Sequence, residues 1–340
     1  MSDKVRVILG LMTFGPFNEG PVKITNQEAT KEIFQRFKSR GYSEIDTARS
    51  YANGTQEAWT AQAGYKTTFN FKIATKVYPT VPGMHSPSEL RKLFTKSLEE
   101  LQTDSVDIFY LHAADRSVPL LETLQTVNEF YKEGKFKIFG ISNYTAYEVA
   151  EIVTTTKFHG FVRPTLYQAK YNVLTRSIED ELIPALHFYG LDLVVYNPLA
   201  GGLFSGKYSK DKEVTDGRFG INSASGAVYR KRYFRDGYWG ALDIVQPVVE
   251  KNNLTLLEVA LRWLVHHSKL NLGSANSLKG DGIIIGVSSL SQLDSDLDAI
   301  EKGPLPQDVI DVLDEAWILV KKDIGPYWQG ELEYSYKFDN

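Results

Sequence analysis

Short runs rich in β-branched and aromatic residues recur along the chain, and a longer segment with amphipathic spacing follows most of them. This alternation is typical of parallel strands whose connecting helices cover the sheet. The pattern predicts helices over residues 27–39, 87–101, 120–131, 145–155, 178–189 and 256–266. It predicts eight strands, over residues 6–11, 43–47, 71–76, 105–111, 137–142, 165–168, 192–196 and 282–286.

Two parallel-sheet architectures fit this alternation, a closed (β/α)₈ barrel and a doubly wound open sheet. A doubly wound sheet for dinucleotides normally begins with a G-x-G-x-x-G turn, and the segment from Gly10 to Gly15 does not contain one. The count of eight strands favours the barrel. Because no linker divides the chain, we predict one barrel domain over residues 1–340. It carries an irregular loop at about 201–239 and a tail at about 321–340, which either closes over a site or packs on the outside.

Composition argues against several classes of site and partner. The chain has no cysteine, which excludes disulfides, thiolate nucleophiles and cysteine metal sites. The six histidines are scattered without an H-E-x-x-H motif, so we expect no metal. A net charge of −4 with interspersed signs disfavours nucleic acid. No stretch approaches the roughly 18 apolar residues of a membrane helix, and no signal peptide is evident. We therefore expect a cytoplasmic protein with no nucleic-acid or membrane partner.

Four residues suited to acid–base chemistry lie at or beyond the ends of three successive predicted strands. Asp46 ends the second strand and Tyr51 follows it, while Lys76 ends the third and His112 follows the fourth. Each alone is more often a rim or packing residue, but catalytic groups of barrels come from these strand ends. A phenol with a pKa of about 10 needs help to donate a proton at about pH 7, and an ammonium paired with a carboxylate supplies it. We predict proton donation by Tyr51, with a neutral His112 orienting the substrate oxygen.

The sequence around these residues resembles the aldo-keto reductase superfamily. The matching strings are IDTARSY at 45–51, ATK at 74–76, YLHAAD at 110–115, GISNY at 140–144 and YQAKYN at 167–172. Three later strings are similar to the aflatoxin-aldehyde reductase branch: YNPLAGGLFSGKY at 196–208, GRF at 217–219 and GVSSLSQL at 286–293. Together they extend over roughly residues 5–325.

The resemblance implies NADPH-dependent reduction of aldehydes or reactive ketones on this barrel, with the four residues above as the catalytic tetrad. It implies that the cofactor lies extended across the barrel mouth, with a helix after the eighth strand favouring NADPH over NADH. It also implies cofactor contacts by Met12, Ser142, Asn143, Gln168, Tyr196, Asn197, Leu199, Gly201, Leu203, Lys207, Arg218, Ser288, Ser289, Gln292 and Asp296.

Asp296 departs from the resembled cofactor site, because an asparagine there commonly contacts the adenine. A carboxylate would repel a 2′-phosphate unless it faces the adenine amino group. Gly286 and Gln292 stand where many members have charged residues, as is typical of the branch, and Arg218 is the candidate for the missing positive charge.

Gln329 marks a second departure, at the place where the branch tends to carry an arginine that binds a substrate carboxylate. A neutral amide binds carboxylates less well. Arg232, with Arg230 beside it, is the alternative contact, although a solvated basic helix face explains these arginines equally well.

Two other functions remain open from the sequence. Barrels of this superfamily also serve as nicotinamide-binding regulatory or scaffold subunits with little turnover, and such subunits keep the same tetrad. A hydrolase using Asp46 and another acid explains the fold but none of the cofactor strings. The resemblance suggests a homodimer, and the composition is equally compatible with a monomer.

Overall fold

The computed structural model describes residues 4–210, 214–215, 217–221, 224–275 and 277–337. Its eight strands are parallel and close into a barrel in chain order, with the first paired to the eighth. The predicted (β/α)₈ barrel is therefore confirmed, and each strand begins and ends within two residues of its predicted bounds. The strands are β1 (Val7–Gly10), β2 (Glu44–Asp46), β3 (Lys72–Val77), β4 (Val106–Leu111), β5 (Phe136–Ser142), β6 (Leu166–Lys170), β7 (Asp192–Tyr196) and β8 (Gly282–Gly286).

Helices surround the barrel and bury their apolar faces against it. Several begin at a residue whose side chain accepts hydrogen bonds from the free backbone N–H groups of the first turn. Asn26 accepts hydrogen bonds from two backbone amides of the first helix, and Thr145 forms a capping box with Glu148. The helices are α1 (Gln27–Ser39), α2 (Gln56–Gln62), α3 (Pro87–Glu100), α4 (Leu120–Lys132), α5 (Ala146–His159), α6 (Leu182–Tyr189), α7 (Ala224–Tyr233), α8 (Asp236–Lys251), α9 (Leu256–His266), α10 (Leu290–Ile300) and α11 (Gln307–Lys321).

Side chains fill the barrel interior, so a ligand can enter only at its mouth. Ile8, Ile108, Tyr110 and Leu166 belong to a buried interior cluster. Gly140 of β5 makes room for the Tyr110 ring, because a Cβ at this position would lie 2.3 Å from it. The strand ends above this cluster are therefore the surface on which the site is built.

The prediction of an irregular loop over 201–239 is wrong for much of its described part. Two 3₁₀ turns, Ala200–Ser205 and Gly217–Phe219, precede α7, and α8 already begins at Asp236. Tertiary packing stabilises these helices: the rings of Tyr229 and Tyr233 in α7 contact the ring of Phe219. None of the helices in the described ranges has the length and apolar character needed to cross a bilayer.

Candidate active site

A buried ion pair lies beneath the barrel mouth. Lys76 Nζ donates to Asp46 Oδ1 at 2.5 Å and to the Thr47 carbonyl at 2.5 Å. Lys76 has no exposed surface and Asp46 is 4% exposed, so the pair is almost entirely removed from water. The ammonium also lies 5.0 Å from the centre of the Tyr51 ring. The structure thus brings three of the four predicted catalytic residues together.

The loop that carries Tyr51 is held rigidly from behind. Its next two residues, Ala52 and Asn53, have positive φ angles of 46° and 53°, which only a well-supported turn maintains. The Arg49 guanidinium supplies this support by donating to the Gly54 carbonyl and to the Glu57 carboxylate. This network holds the turn that follows Tyr51.

His112 completes the group. Its ring lies 6.0 Å from the Tyr51 ring and 5.3 Å from the Tyr78 ring, edge-on to both. Among the described residues, its Nδ1 has no hydrogen-bond partner, so no side chain of that part of the protein fixes the tautomer. His112 is therefore held by ring contacts rather than by a carboxylate.

Burial determines the protonation states of the site. It raises the pKa of Tyr51 well above 10, and the negative charge of Asp46 raises it further. Burial and the positive charge of Lys76 lower the pKa of His112 well below 6.5. Burial also lowers the pKa of Lys76, although Asp46 opposes this shift. At neutral pH the site therefore presents a protonated phenol and a neutral imidazole, as the sequence predicted for His112.

A cavity of about 790 Å³ opens above these residues, within the range of small-molecule sites. Asp46, Tyr51 and His112 form one part of its wall, and both candidate substrate residues, Arg232 and Gln329, also line it. The predicted cofactor residues in its wall are Met12, Asn143, Gln168, Tyr196, Asn197, Leu199, Gly201, Lys207, Arg218, Ser288, Gln292 and Asp296.

Three predicted cofactor residues lie outside this wall. Ser142 is fully buried and accepts a hydrogen bond from Asn143 Nδ2 at 2.9 Å. Leu203 is fully buried in the hydrophobic core. Ser289 is exposed, and its hydroxyl caps α10 by accepting from the Gln292 amide. These side chains support the wall rather than form it.

The C-terminal tail crosses the mouth. The backbone N–H of Gln329 donates to the backbone carbonyl of Asn143, and the Tyr78 hydroxyl donates to the side-chain Oε1 of Gln329 at 3.2 Å. Arg116 donates to the carbonyls of Gln329 and Glu331 at 2.7 and 3.2 Å. The tail therefore both closes part of the site and packs on the barrel rim.

Comparison with known proteins identifies the family. A family model described as the aldo/keto reductase family matches residues 6–318. The chain belongs to this family. It is 40% identical to an aldo-keto reductase of Pseudocercospora fijiensis over 87% of this chain and 100% of that protein. It is 38% identical to aflatoxin B1 aldehyde reductase member 2 of Rattus norvegicus over 95% of this chain and 87% of that protein. The resemblance stated from the motifs, including its branch, is confirmed.

A solved member of the aldo/keto reductase family shares the fold. The crystal structure of an aldo/keto reductase from Klebsiella pneumoniae, in complex with NADP and acetate, superposes with a TM-score of 0.66 at 22% identity. The match covers 92% of this chain and 90% of that one.

Sequence reasoning missed one residue of the cavity wall, Tyr229, and one buried residue outside that wall, Lys170. The ring of Tyr229 in α7 lies 5.2 Å from the Arg218 guanidinium and 5.6 Å from the Arg232 guanidinium. Lys170, at the end of β6, is 6% exposed, and burial together with Arg232 lowers its pKa to about 7. The alternation of β6 could have revealed Lys170, since it lies on the same side of the strand as Gln168. No local pattern placed Tyr229 at the mouth.

Proposed function

We propose that this protein reduces aldehydes or reactive ketones to alcohols, using NADPH as hydride donor and Tyr51 as proton donor. The observation that carries the proposal is the buried Lys76–Asp46 pair beside the Tyr51 ring, in a cavity that also contains a neutral His112. A solvent-exposed salt bridge would do little to stabilise a phenolate at Tyr51, whereas a buried ammonium stabilises a neighbouring anion strongly.

The cavity wall offers the groups that a phosphorylated dinucleotide needs. Lys207 and Arg218 supply positive charge, and the first turn of α10 supplies backbone amides. Near the tetrad, Gln168 Nε2 donates to Asp46 Oδ2 at 3.0 Å, and Tyr196 Oη donates to Asn143 Oδ1 at 2.8 Å. These amide side chains are thus oriented in advance, and we assign them to the nicotinamide carboxamide.

The cofactor supplies a hydride to the carbonyl carbon when it is bound. As negative charge develops on the carbonyl oxygen, Tyr51 transfers its phenolic proton to that oxygen, and the C=O group becomes CH–OH. The Lys76 ammonium, held by Asp46, stabilises the phenolate that remains. Neutral His112 donates a hydrogen bond to the same oxygen and fixes its position.

Arg232 is the candidate contact for an acidic group of the substrate. It lines the cavity, and none of the described carboxylates forms an ion pair with it. Arg230 instead donates to the Phe219 carbonyl, and Gln329 offers only a neutral amide. We propose that Arg232 binds the substrate carboxylate, as an arginine at position 329 would do.

The test is stoichiometric reduction of an activated aldehyde such as 4-nitrobenzaldehyde. We expect one alcohol formed for each NADPH oxidised. Loss of aldehyde without cofactor, or formation of an acid, would exclude the proposal. Tight NADPH binding without turnover of any activated carbonyl would instead favour a regulatory or scaffold subunit.

A further inference from the structure

Glu57 is a buried carboxylate that the proposed mechanism does not use. It lies on α2 and has no exposed surface. Its Oε2 accepts a hydrogen bond from the Arg49 guanidinium at 2.5 Å, and its Oε1 accepts one from the Thr75 hydroxyl at 2.5 Å. The two carboxylate oxygens therefore bind two different segments of the chain.

The two partners of Glu57 stand next to two residues of the tetrad. Arg49 lies two residues before Tyr51, and Thr75 directly precedes Lys76 in β3. Successive side chains of a strand point to opposite faces, so Thr75 faces the surrounding helices while Lys76 faces the barrel interior. Glu57 thus contacts β3 from the face opposite to the one that carries the ammonium.

A backbone hydrogen bond closes these contacts into a cycle. The backbone N–H of Arg49 donates to the backbone carbonyl of Lys76 at 2.9 Å. From the Arg49 guanidinium the cycle continues through Glu57 to the Thr75 hydroxyl, and the peptide bond from Thr75 to Lys76 completes it. The loop that carries Tyr51 and the strand that carries Lys76 are therefore joined twice, once by the backbone and once through Glu57.

Stability alone gives a weak reason for a buried ion pair at this place. Replacing a buried pair by apolar residues of similar volume is often neutral or stabilising, because both charges lose their hydration. Fixed geometry gives a stronger reason, since a displacement of about 1 Å at a reacting group can cost about 10²-fold in rate. The cycle controls the spacing of two reacting groups, the Tyr51 ring and the Lys76 ammonium 5.0 Å from its centre.

We propose that Glu57 is a positioning residue of the reduction, which fixes the distance between the Tyr51 phenol and the Lys76 ammonium by joining the Tyr51 loop to β3. This inference rests on the proposed function, in which Tyr51 donates the proton. The charge of Glu57 acts in the same direction. Burial lowers the pKa of Lys76, and the negative charges of Asp46 and Glu57 both oppose this shift.

The first test breaks the contact between Glu57 and β3. Thr75→Val removes the hydroxyl but keeps the shape of the side chain, whereas Thr75→Ser keeps the hydroxyl. We expect Thr75→Val to lower the single-turnover rate of aldehyde reduction by about 10- to 100-fold, and Thr75→Ser by less than about threefold. The NADPH dissociation constant, measured by tryptophan fluorescence, should stay within about twofold of the wild type in both variants.

Thr156→Val is the matched control for the loss of a buried threonine hydroxyl. Thr156 lies on α5, is 1% exposed, and its hydroxyl donates to the Ile152 carbonyl of the same helix at 2.8 Å. We expect this variant to have a lower free energy of unfolding and a reduction rate within about twofold of the wild type.

The second test shows whether Glu57 acts through the proton donor. Glu57→Gln keeps an oxygen that accepts from Thr75 but removes the charge that binds Arg49, so we expect a loss of rate at least as large as that of Thr75→Val. In the Tyr51→Phe background, Glu57→Gln should lower the remaining rate by less than about twofold, because no phenolic proton is left to position. A residue that only stabilises the fold would lower the rate by the same factor in both backgrounds.

The outcomes separate the two proposals. A wild type that reduces no activated aldehyde, or a Tyr51→Phe variant with an unchanged rate, would overturn the proposed function itself. Reduction at the wild-type rate by a folded Thr75→Val or Glu57→Gln variant would overturn only the role of Glu57. Equal losses from Glu57→Gln in the wild-type and Tyr51→Phe backgrounds would also overturn that role. If one of these variants does not fold, the other decides the matter, because each breaks a different half of the connection.

Discussion

At the scale of single residues, the tetrad depends on charges that are buried only because they are paired. Removing one member of a buried pair leaves the other uncompensated, which typically costs about 3–5 kcal/mol, whereas replacing both is often nearly neutral. The Lys76–Asp46 pair meets this condition, since both side chains are at most 5% exposed.

We therefore predict that Lys76→Met lowers both stability and activity, and that the double variant Asp46→Asn, Lys76→Met regains most of the stability but not the activity. The rate should fall by roughly 10²- to 10⁴-fold in both variants, because the phenolate loses its ammonium. Urea unfolding and single-turnover reduction measure the two effects separately. A double variant that recovered wild-type turnover would show that the ammonium has no catalytic role.

The depressed pKa of His112 leads to a prediction about pH. In the unfolded chain this histidine takes up a proton as the pH falls through about 6.5, whereas in the folded protein it stays neutral. Protonation therefore favours the unfolded chain, and the stability that is present above about pH 6.5 is lost as the pH falls below it. We expect the free energy of unfolding to decrease between about pH 6.5 and pH 5, and to decrease less in His112→Gln. NMR titration should show His112 neutral throughout this range. Protonation of His112 near pH 6.5 would contradict the assignment.

At the scale of elements, the turn after β7 shapes the cofactor side of the cavity. Gly201 has a φ of 72°, and a Cβ there would lie 2.8 Å from the Tyr229 ring of α7. Gly206, in the same segment, has a φ of 74° but open space around it. Comparing alanine substitutions at these two glycines therefore distinguishes the effect of backbone strain from that of a steric conflict with the cavity wall.

We predict that Gly201→Ala weakens NADPH binding by about tenfold, because Tyr229 must move. Gly206→Ala carries the same backbone strain and should bind NADPH within about twofold of the wild type. Fluorescence titration of both variants checks this. Equal losses of NADPH affinity in the two variants would show that strain in the turn, rather than displacement of Tyr229, controls NADPH binding.

Elements differed in how well the sequence predicted them. The strands were predicted because buried parallel strands read as short continuous apolar runs. Helix α11 was missed although Val309, Val312, Leu313, Ala316 and Val320 follow helical spacing and are buried. Helix α7 has no such stripe: Tyr229 and Tyr233 pack on Phe219, and of the three basic residues of the helix only Arg232 lines the cavity. Local composition therefore suggested a loop.

At the scale of the whole molecule, residues far apart in the chain complete the site. The strand-end rule placed the tetrad, because every carboxyl end of a barrel strand lies at the same face. It could not place the tail, whose path depends on Arg116, which pairs with the buried Glu148 and reaches the Gln329 carbonyl. These contacts join positions that no sequence spacing relates.

We predict that Arg116→Lys raises KM by about 3- to 10-fold and leaves kcat within about twofold, because a lysine keeps the charge beside Glu148 but loses the bonds to the tail carbonyls. Arg91→Lys is the control: this arginine forms surface ion pairs with Glu129 and Glu133 and lies over the Phe130 ring, and no described contact joins it to the tail. Steady-state kinetics with one aldehyde distinguishes the cases. A fall in kcat at unchanged KM would mean that the tail acts on the chemistry rather than on substrate binding.

The central claim is that Tyr51 is the proton donor, and Tyr51→Phe tests it most directly, because phenylalanine keeps the ring above Lys76 and removes only the hydroxyl. NADPH affinity and aldehyde reduction should be measured on the same preparation. We predict unchanged affinity and a loss of reduction of at least about 10²-fold. A variant that binds NADPH and reduces the aldehyde at the wild-type rate would contradict the account.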